Sequence, residues 1–382
     1  MNSQIKTTNI EDTGEELNSL WTVPSSNYTD ESVYTLEQEK IFAKSWVCVA
    51  HASDVKDQNA YITRQYINED IIIVRGQDDV LRAFFNVCPH RGHQLLKGDG
   101  KVKGRITCPY HSWAFKLDGD LAFANNCKNV ADFDLQGTSL SAVKVEQHAG
   151  FIFLNMDLDA EPVATQLPGF AEQLATASTH ISKLKRGARF VTRTPANWKA
   201  IVDNYLECYH CKTNHVSFSD SVDIKQYTHS LEKNWTLQYG VAKPSDKSYS
   251  FDENLENPSF QGFWIWPCTM INIPPGGEFM TVIYEYPESA GVTVQNYEIY
   301  FLNDELTEQQ QDLVEWYRTV FRPEDLRLVE SVQKGMNSRG FKGRGRIMAD
   351  INRGGLSEHG VAYFHKKLQA FYQQHALCVD SN

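Results

Sequence analysis

The run Cys88-Pro89-His90-Arg91-Gly92-His93 is followed by Cys108-Pro109-Tyr110-His111-Ser112-Trp113-Ala114-Phe115, with seventeen residues between His90 and Cys108. Two soft thiolates and two imidazoles thus come from two short loops, a donor set that suits transition metals. Pro89 and Pro109 stiffen the chain beside each cysteine, and Gly92 and Gly119 permit tight turns. Around the loops lie short β-type runs: Trp46–Ala50, Ala60–Thr63, Ile71–Val74, Leu81–Phe85, Leu140–Val145 and Gly150–Leu154. Turn residues such as Gly76-Gln77-Asp78-Asp79 separate them, and Asp118-Gly119 predicts a hairpin. Residues 46–156 are therefore expected to form a small all-β domain.

Beyond Met156 the pattern changes. Residues 161–188 and Ala196–His215 are expected to be helical, followed by strands at Trp235–Tyr239, Thr281–Tyr286 and Tyr297–Phe301. Helices return at Thr307–Phe321, Pro323–Met336 and Ser357–His375. Residues 157–382 read as an α+β domain, and residues 1–45, with a helix over Thr35–Trp46, are expected to pack onto it. The 382 residues carry 37 Lys+Arg against 48 Asp+Glu, a formal net charge of −11. Such a chain repels phosphate backbones, which argues against nucleic acid as partner. No run approaches about 20 consecutive apolar residues, so no membrane span is expected. The polar start, Met1–Asn18, lacks the order of a secretory signal, so the expected compartment is the cytoplasm. There the eight cysteines should be reduced, serving as ligands or small buried hydrophobes; Cys48, Cys127, Cys268 and Cys378 have no partner at ligand spacing.

The Cys-His loops admit three readings: a zinc site, an isolated turn with a buried thiol, or a Rieske [2Fe–2S] centre in which two Cys hold one iron and two His the other. Zinc sites usually space their ligand pairs more widely than Cys-x-His, and a chance turn does not explain two such units. Neutral imidazoles raise the potential of a Rieske centre to about −150 to +300 mV, against about −400 mV for the all-Cys plant type. A single-electron donor of that kind needs an acceptor. The segment Asp203-Asn204-Tyr205-Leu206-Glu207-Cys208-Tyr209-His210-Cys211-Lys212-Thr213-Asn214-His215 offers one. Glu207 and His210 stand three apart, on one face of a helix. His210 and His215 stand five apart, about 140° from each other on an ideal helix, so they meet at one metal only if the helix ends or bulges between them. Two imidazoles and a carboxylate form the facial triad of non-haem Fe(II) oxygenases.

These motifs closely resemble those of the Rieske-type non-haem iron oxygenases, and the resemblance covers nearly the whole chain. It implies Cys88, His90, Cys108 and His111 as cluster ligands, and His210, His215 and Asp325 as ligands of a mononuclear iron, with Glu324 the alternative to Asp325. It implies that Glu207 bridges to His111 of a neighbouring subunit in a homotrimer, with Asp203 as a rival for that role. The implied fold is a Rieske domain plus a catalytic domain of helix-grip type, with a central antiparallel sheet. Within the family the chain is most similar to the quaternary-ammonium branch, which acts on carnitine, γ-butyrobetaine, glycine betaine, stachydrine or choline. Gly262–Met270, Phe321–Asp325, Gly345–Met348, Ser357–Ala362 and the Glu at position 207 carry that likeness. The branch has Gly-Pro-Ala between the two His and a Pro after the second, where this chain has Lys212-Thr213-Asn214 and Val216.

A quaternary ammonium has no N–H to donate and is held by aromatic faces, each contributing ~0.5–2 kcal/mol. Tyr205, Phe263, Trp264 and Trp266 are the candidate walls. The implied activity is a monooxygenase that oxidises a carbon next to nitrogen and breaks C–N, giving trimethylamine from carnitine or formaldehyde from a betaine. Electrons would come from NAD(P)H through a separate flavin (FMN)/iron–sulfur reductase, because the chain has no Gly-x-Gly-x-x-Gly fingerprint. Arg91, Lys97, Lys101, Lys103 and Lys116 could form a docking face or simply a solvated one. Rival functions are an aromatic-ring dioxygenase, a Rieske electron carrier without oxygenase activity, and a zinc-stabilised binding module.

Overall fold

The computed structural model describes residues 21–135, 137–243, 258–275 and 278–375, with 351–353 as backbone only. Met1–Leu20 and Cys378, for which expectations were given above, lie outside the described residues. Packing divides the rest into two compact units, residues 37–167 with 181–185 and residues 21–36 with 168–180 and 186–375. Among the described residues no helix is long and apolar enough to cross a membrane.

The first unit holds ten strands: β1 (Val47–His51), β2 (Ala60–Tyr66), β3 (Glu69–Arg75), β4 (Leu81–Phe85), β5 (Asp99–Lys101), β6 (Ile106–Thr107), β7 (Ala114–Phe115), β8 (Leu121–Phe123), β9 (Ala142–His148) and β10 (Phe151–Asn155). Seven pair in the order β1-β10-β9-β4-β3-β2-β5, and β6, β7 and β8 form a second sheet. The apolar runs read from sequence become the inner strands: Ile71 to Val74 and Phe151 to Leu154 are fully buried. β2 instead alternates buried and accessible positions, the period-2 pattern of a half-buried strand. The unit begins before Trp46 because Tyr66 Oη donates to the Phe42 carbonyl at 2.6 Å, fastening the 3₁₀ turn Phe42–Lys44 to β2.

Two loops carry the Cys-His units, and both are built alike. Gly92 N–H donates to the Cys88 carbonyl at 2.9 Å and Cys88 N–H to the His93 carbonyl at 2.8 Å. Ser112 N–H donates to the Cys108 carbonyl at 3.0 Å and Cys108 N–H to the Trp113 carbonyl at 2.8 Å. Each loop needs a left-handed residue four positions after its cysteine; Gly92 (φ 73°) and Ser112 (φ 59°) supply it. A common apolar core of Ile72, Val74, Phe84, Leu95, Ile106, Phe115 and Leu117 packs around Cys88 and Cys108. The Asp118-Gly119 turn joins β7 to β8 as a hairpin, with Gly119 at φ 100°.

In the second unit α1 (Ser26–Thr29) and α2 (Glu31–Lys40), which starts earlier than expected and runs into the first unit, precede the sheet. The sheet comprises β11 (Lys185–Thr194), β12 (Thr228–Leu231), β13 (Trp235–Val241), β14 (Ser259–Ile265), β15 (Thr269–Ile273), β16 (Phe279–Ser289) and β17 (Val292–Phe301). Its order is β11-β17-β16-β15-β14-β13-β12, and β12 to β17 pair antiparallel in sequence order. The expected helix over 161–188 is corrected to α3 (Val163–Gln166), α4 (Phe170–Ala177) and a 3₁₀ turn, because from Lys185 onward the residues alternate in burial and join the sheet edge as β11. The expected helix Ala196–His215 is likewise three pieces: α5 (Trp198–Tyr205), α6 (Cys211–Asn214) and α7 (Val216–Ser221). α8 (Glu308–Trp316) opens with a Thr307/Gln310 capping box, α9 spans Arg322–Met336 with Pro323 in its first turn, and α10 spans His359–Gln374.

A Cβ at Gly119 would lie 2.6 Å from Phe84 Cε1, whereas one at Gly98, also left-handed, would meet nothing within 4 Å. Gly98→Ala is expected to cost roughly 1–2 kcal/mol for backbone alone, and Gly119→Ala more, about 2–4 kcal/mol. Denaturant midpoints at unchanged slope check the difference.

Candidate metal centres

α5 ends at Tyr205, and the second donor set lies just beyond it. Asn197 caps α5 by accepting from Lys199 N–H at 2.9 Å, and the chain leaves helical geometry after Tyr205. Glu207 then turns back on its own segment. Its Oε2 accepts from the backbone N–H of Tyr209 and from that of His210 at 3.2 Å, and its Oε1 bonds His210 Nδ1. Glu207 and His210 thus do not share the face of a continuous helix as expected; the carboxylate takes up N–H groups that a helix start leaves unsatisfied. His210 precedes α6, and His215 follows it where the backbone leaves helical geometry (φ −111°, ψ 70°); the two rings lie 5.1 Å apart.

From α9, Asp325 Oδ1 lies 2.8 Å from His215 Nε2 and 3.7 Å from His210 Nε2. The three donor atoms lie within 4.8 Å of one another. Each imidazole also holds a carboxylate on its other nitrogen: Glu207 on His210 Nδ1, and Glu324 on His215 Nδ1 at 2.7 Å. Carboxylates in that position fix ring orientation and tautomer for a metal on the opposite nitrogen. Glu324, the alternative ligand read from sequence, sits behind His215 and outside the convergent trio. Asp203 is engaged elsewhere, accepting from Tyr28 Oη at 2.7 Å and bonding His365 Nε2 at 2.9 Å.

Electrostatics of the bare site favour positive charge. Burial opposes a charged His210, but the hydrogen bonds and charges of Asp325 and Glu207 outweigh it and push its pKa up to about 10. His215 is raised in the same way, against burial, by Asp325 and Glu324. Burial would raise Asp325, yet the two imidazoles hold it well below the usual carboxylate range. A divalent cation answers the same demand, so the residues present fit a mononuclear non-haem iron.

In the other unit, Cys88 and Cys108 are buried with their side chains in mutual hydrogen-bond reach, and the His90 and His111 rings lie 4.7 Å apart. His90 stacks on Trp113 at 4.6 Å and 4°, and His111 on Tyr110 at 3.9 Å. His111 Nδ1 is buried and, among the described residues, has no hydrogen-bond partner. A buried ring nitrogen left unpaired is what a metal ligand looks like without its metal. A pair of thiols beside a pair of imidazoles fits a two-iron cluster in which two Cys hold one iron and two His the other. His93 is exposed, as a loop residue, and lends its carbonyl to the turn.

A cavity opens onto the His210–His215–Asp325 group, and among its walls are Phe218, Tyr227, Phe260, Tyr297, Tyr317 and Phe321. Tyr205 also lines it, with its hydroxyl donating to Asn272 Oδ1 at 2.8 Å. The other three aromatic residues proposed from sequence do not reach it. Phe263 and Trp264 are fully buried on opposite faces of β14, Phe263 against Phe170 at 5.8 Å and Trp264 against Phe364 at 5.6 Å. Trp266 packs among Trp198, Trp264 and Phe364. The missed wall residues are Phe260, at the start of β14 itself, and others on β17, α7 and the segment Tyr317–Phe321; period 2 in β17 was an available signal, placing Gln295 and Tyr297 on one face.

The cysteine expectation is corrected at one pair. Cys208 and Cys211 are joined by a disulfide, because the turn preceding α6 brings their Cα atoms to 4.9 Å. Among the described residues Cys48, Cys88, Cys108, Cys127 and Cys268 are not joined by a disulfide.

Comparison with known proteins agrees with this geometry. The Rieske [2Fe-2S] domain family matches residues 45–134, and the ring hydroxylating alpha subunit (catalytic domain) family matches residues 181–374. The carnitine monooxygenase oxygenase subunit of Acinetobacter baumannii is 59% identical over 353 residues, covering 92% of this chain and 95% of that protein. The chloroplastic choline monooxygenase of Beta vulgaris is 30% identical over 91% of this chain and 77% of its own length. A crystal structure of a quaternary ammonium Rieske monooxygenase in complex with L-carnitine superimposes with a TM-score of 0.87 at 57% identity, covering 94% of this chain and 97% of that one.

At neutral pH the metal-free protein should carry a protonated His210, because Asp325 and Glu207 push its pKa up to about 10 against burial, and His215 is raised as well. Loading Fe(II) at pH 7 is then expected to release at least the His210 proton, and less as the pH climbs toward 10. An indicator dye in weak buffer reads this, and uptake without proton release would contradict it.

Proposed function

The chain belongs to the Rieske non-haem iron oxygenases as a ring-hydroxylating-type alpha subunit, a monooxygenase, and on that premise we propose that its substrate is a small quaternary ammonium compound, carnitine or γ-butyrobetaine first. The observation that carries the reading is the aromatic cavity opening onto His210, His215 and Asp325. Support for the substrate comes from 59% identity to a carnitine monooxygenase oxygenase subunit and from a relative's structure in complex with L-carnitine. Glycine betaine, stachydrine and choline are the alternatives within the same branch. The reaction is O2-dependent oxidation of a carbon next to nitrogen with C–N cleavage, giving trimethylamine from carnitine.

We assign the mononuclear iron to His210, His215 and Asp325, and the cluster to Cys88, His90, Cys108 and His111. When bound, the cluster supplies single electrons at a potential raised by imidazole ligation, and the mononuclear iron supplies open positions for O2. The chain's own residues do the rest. Glu207 and Glu324 hold the two imidazoles by their Nδ1 atoms, which keeps both Nε2 atoms turned to Asp325. Phe218, Tyr227, Phe260, Tyr297, Tyr317 and Phe321 replace Phe263, Trp264 and Trp266 as the faces against which a trimethylammonium packs, each worth ~0.5–2 kcal/mol where water is excluded. Glu207 additionally bridges to His111 of a neighbouring protomer in a homotrimer. A separate NAD(P)H-dependent flavin/iron–sulfur reductase delivers the electrons, in the cytoplasm, docking through the exposed basic residues Arg91, Lys97, Lys101 and Lys103.

With a partner reductase, carnitine or γ-butyrobetaine should give stoichiometric NADH consumption and trimethylamine. Glycine betaine, choline and stachydrine serve as comparison substrates, and preference for any of these three would move the assignment within the branch. Uncoupled or absent turnover on all five would reject it.

Glu207→Gln keeps a carbonyl oxygen able to accept the Tyr209 and His210 N–H groups but removes the charge. Product formation is expected to fall roughly 10- to 100-fold while iron and sulfide content stay near wild type. Unchanged product yield would remove Glu207 from the electron path.

A further inference from the structure

The bond between Cys208 and Cys211 closes a ring that contains Tyr209 and His210. Both cysteines line the cavity that also exposes His210, His215 and Asp325. We propose that Cys208 and Cys211 form a reversible thiol–disulfide pair that a small dithiol reductant opens through the substrate cavity, and whose oxidised state fastens the loop that holds the mononuclear metal. The proposal rests on the reading of His210, His215 and Asp325 as that metal's ligands.

The argument begins with what one chain has to do at once. Cys88 and Cys108 can hold a Rieske centre only as thiolates, so the protein is assembled where thiols stay reduced. Disulfides in such surroundings are mostly transient, catalytic or redox-sensing. A bridge two residues long also adds little as a structural brace, because the restraint it places on an unfolded chain shrinks with loop length. The turn has its own support in any case. Cys211 N–H donates to the Cys208 carbonyl at 3.2 Å, and the Thr213 and Asn214 N–H groups both donate to the His210 carbonyl at 3.0 Å. The backbone therefore keeps its path when the bridge opens, and what changes is the freedom of the residues inside the ring.

Access fixes the route. Cys208 is 1% and Cys211 5% exposed, and Val222, Tyr227, Phe218 and Phe260 pack around them as fellow walls of the cavity. Reductant must come from the cavity side, so an occupant of the cavity shields the bond. The exchange is balanced by the dithiol alone. One thiolate of the reductant attacks a cysteine sulfur, breaking the Cys208–Cys211 bond and forming a mixed disulfide. Its second thiol then attacks the reductant's own sulfur in that mixed disulfide and displaces the protein cysteine still bound there. The protein pair gains two electrons and two protons, and the reductant leaves as a cyclic disulfide.

The test uses the holoprotein with both iron centres loaded, treated with diamide or with dithiothreitol. Differential alkylation and peptide mass spectrometry count free thiols at positions 208 and 211, and a ferrous chelator times the loss of the third iron while cluster absorbance is followed. Dithiothreitol is expected to expose two thiols at this pair, more slowly with carnitine present, and diamide to close them again. The third iron should leave about 10-fold faster from the reduced protein. The Cys208→Ser/Cys211→Ser double variant should match the reduced form and ignore dithiothreitol; the wild-type comparison does not depend on its folding. Alkylation of either cysteine after diamide overturns the pair. Equal iron loss from two verified redox states overturns the fastening role alone. A protein that keeps its cluster but binds no third iron in either state overturns the site reading, and the fastening role with it.

Discussion

The catalytic unit depends on a helix that stops. His210 and His215 are five residues apart, and a continuous α-helix points such a pair about 140° apart. The chain ends α5 at Tyr205, restarts at Cys211, and leaves helical geometry again at His215 (φ −111°, ψ 70°). Glu207 supports the restart, since its carboxylate accepts from the N–H groups of Tyr209 and His210 just before α6. The same carboxylate then orients His210. One side chain thus serves both the local turn and the orientation of His210.

The small β unit meets its constraint differently. Two loops of unrelated origin in the sheet carry the same pair of backbone hydrogen bonds and the same left-handed fourth residue. The cysteines sit in the apolar core while the imidazoles stack on Trp113 and Tyr110. Burial pushes the Cys88 thiol up, against the His90 backbone N–H, so the bare thiol keeps its proton and a metal has to displace it. Rigid loops keep that exchange from costing further ordering of the chain.

Much of this was legible in the residues. Cys-x-His spacing, paired prolines and the Asp118-Gly119 hairpin carry local information, and short-range geometry is what sequence patterns encode best. The acid at position 325 could be named from its motif, and α9 delivers it. Three things resisted. The break after Tyr205 is invisible because Ile201–Tyr205 and Cys211–Asn214 are both acceptable helix, and only the back-reaching Glu207 separates them. The cavity walls come from β14, β17, α7, α9 and the turn at Tyr317–Phe321, and no window of sequence spans that set. Aromatic density misled here: Trp264 on β14 and Trp266 just beyond it are core because both pack on α10 through Phe364. The disulfide was excluded on compartment grounds, an argument about average behaviour that a three-residue spacing in a tight turn overrides.

Charge ties the site to the class of molecule assigned to it. Glu207, Glu324 and Asp325 contribute three carboxylates within reach of two imidazoles. Neutral imidazoles and a divalent ion leave one negative charge in excess, behind walls that are largely aromatic. In such surroundings an unpaired anion is costly and a soft cation is welcome, because ring faces and the residual charge act in the same direction. A flat, neutral aromatic ring would fill the space and use none of that field. A quaternary ammonium uses both, which gives a physical reason for the branch preference that sequence likeness alone states without explaining.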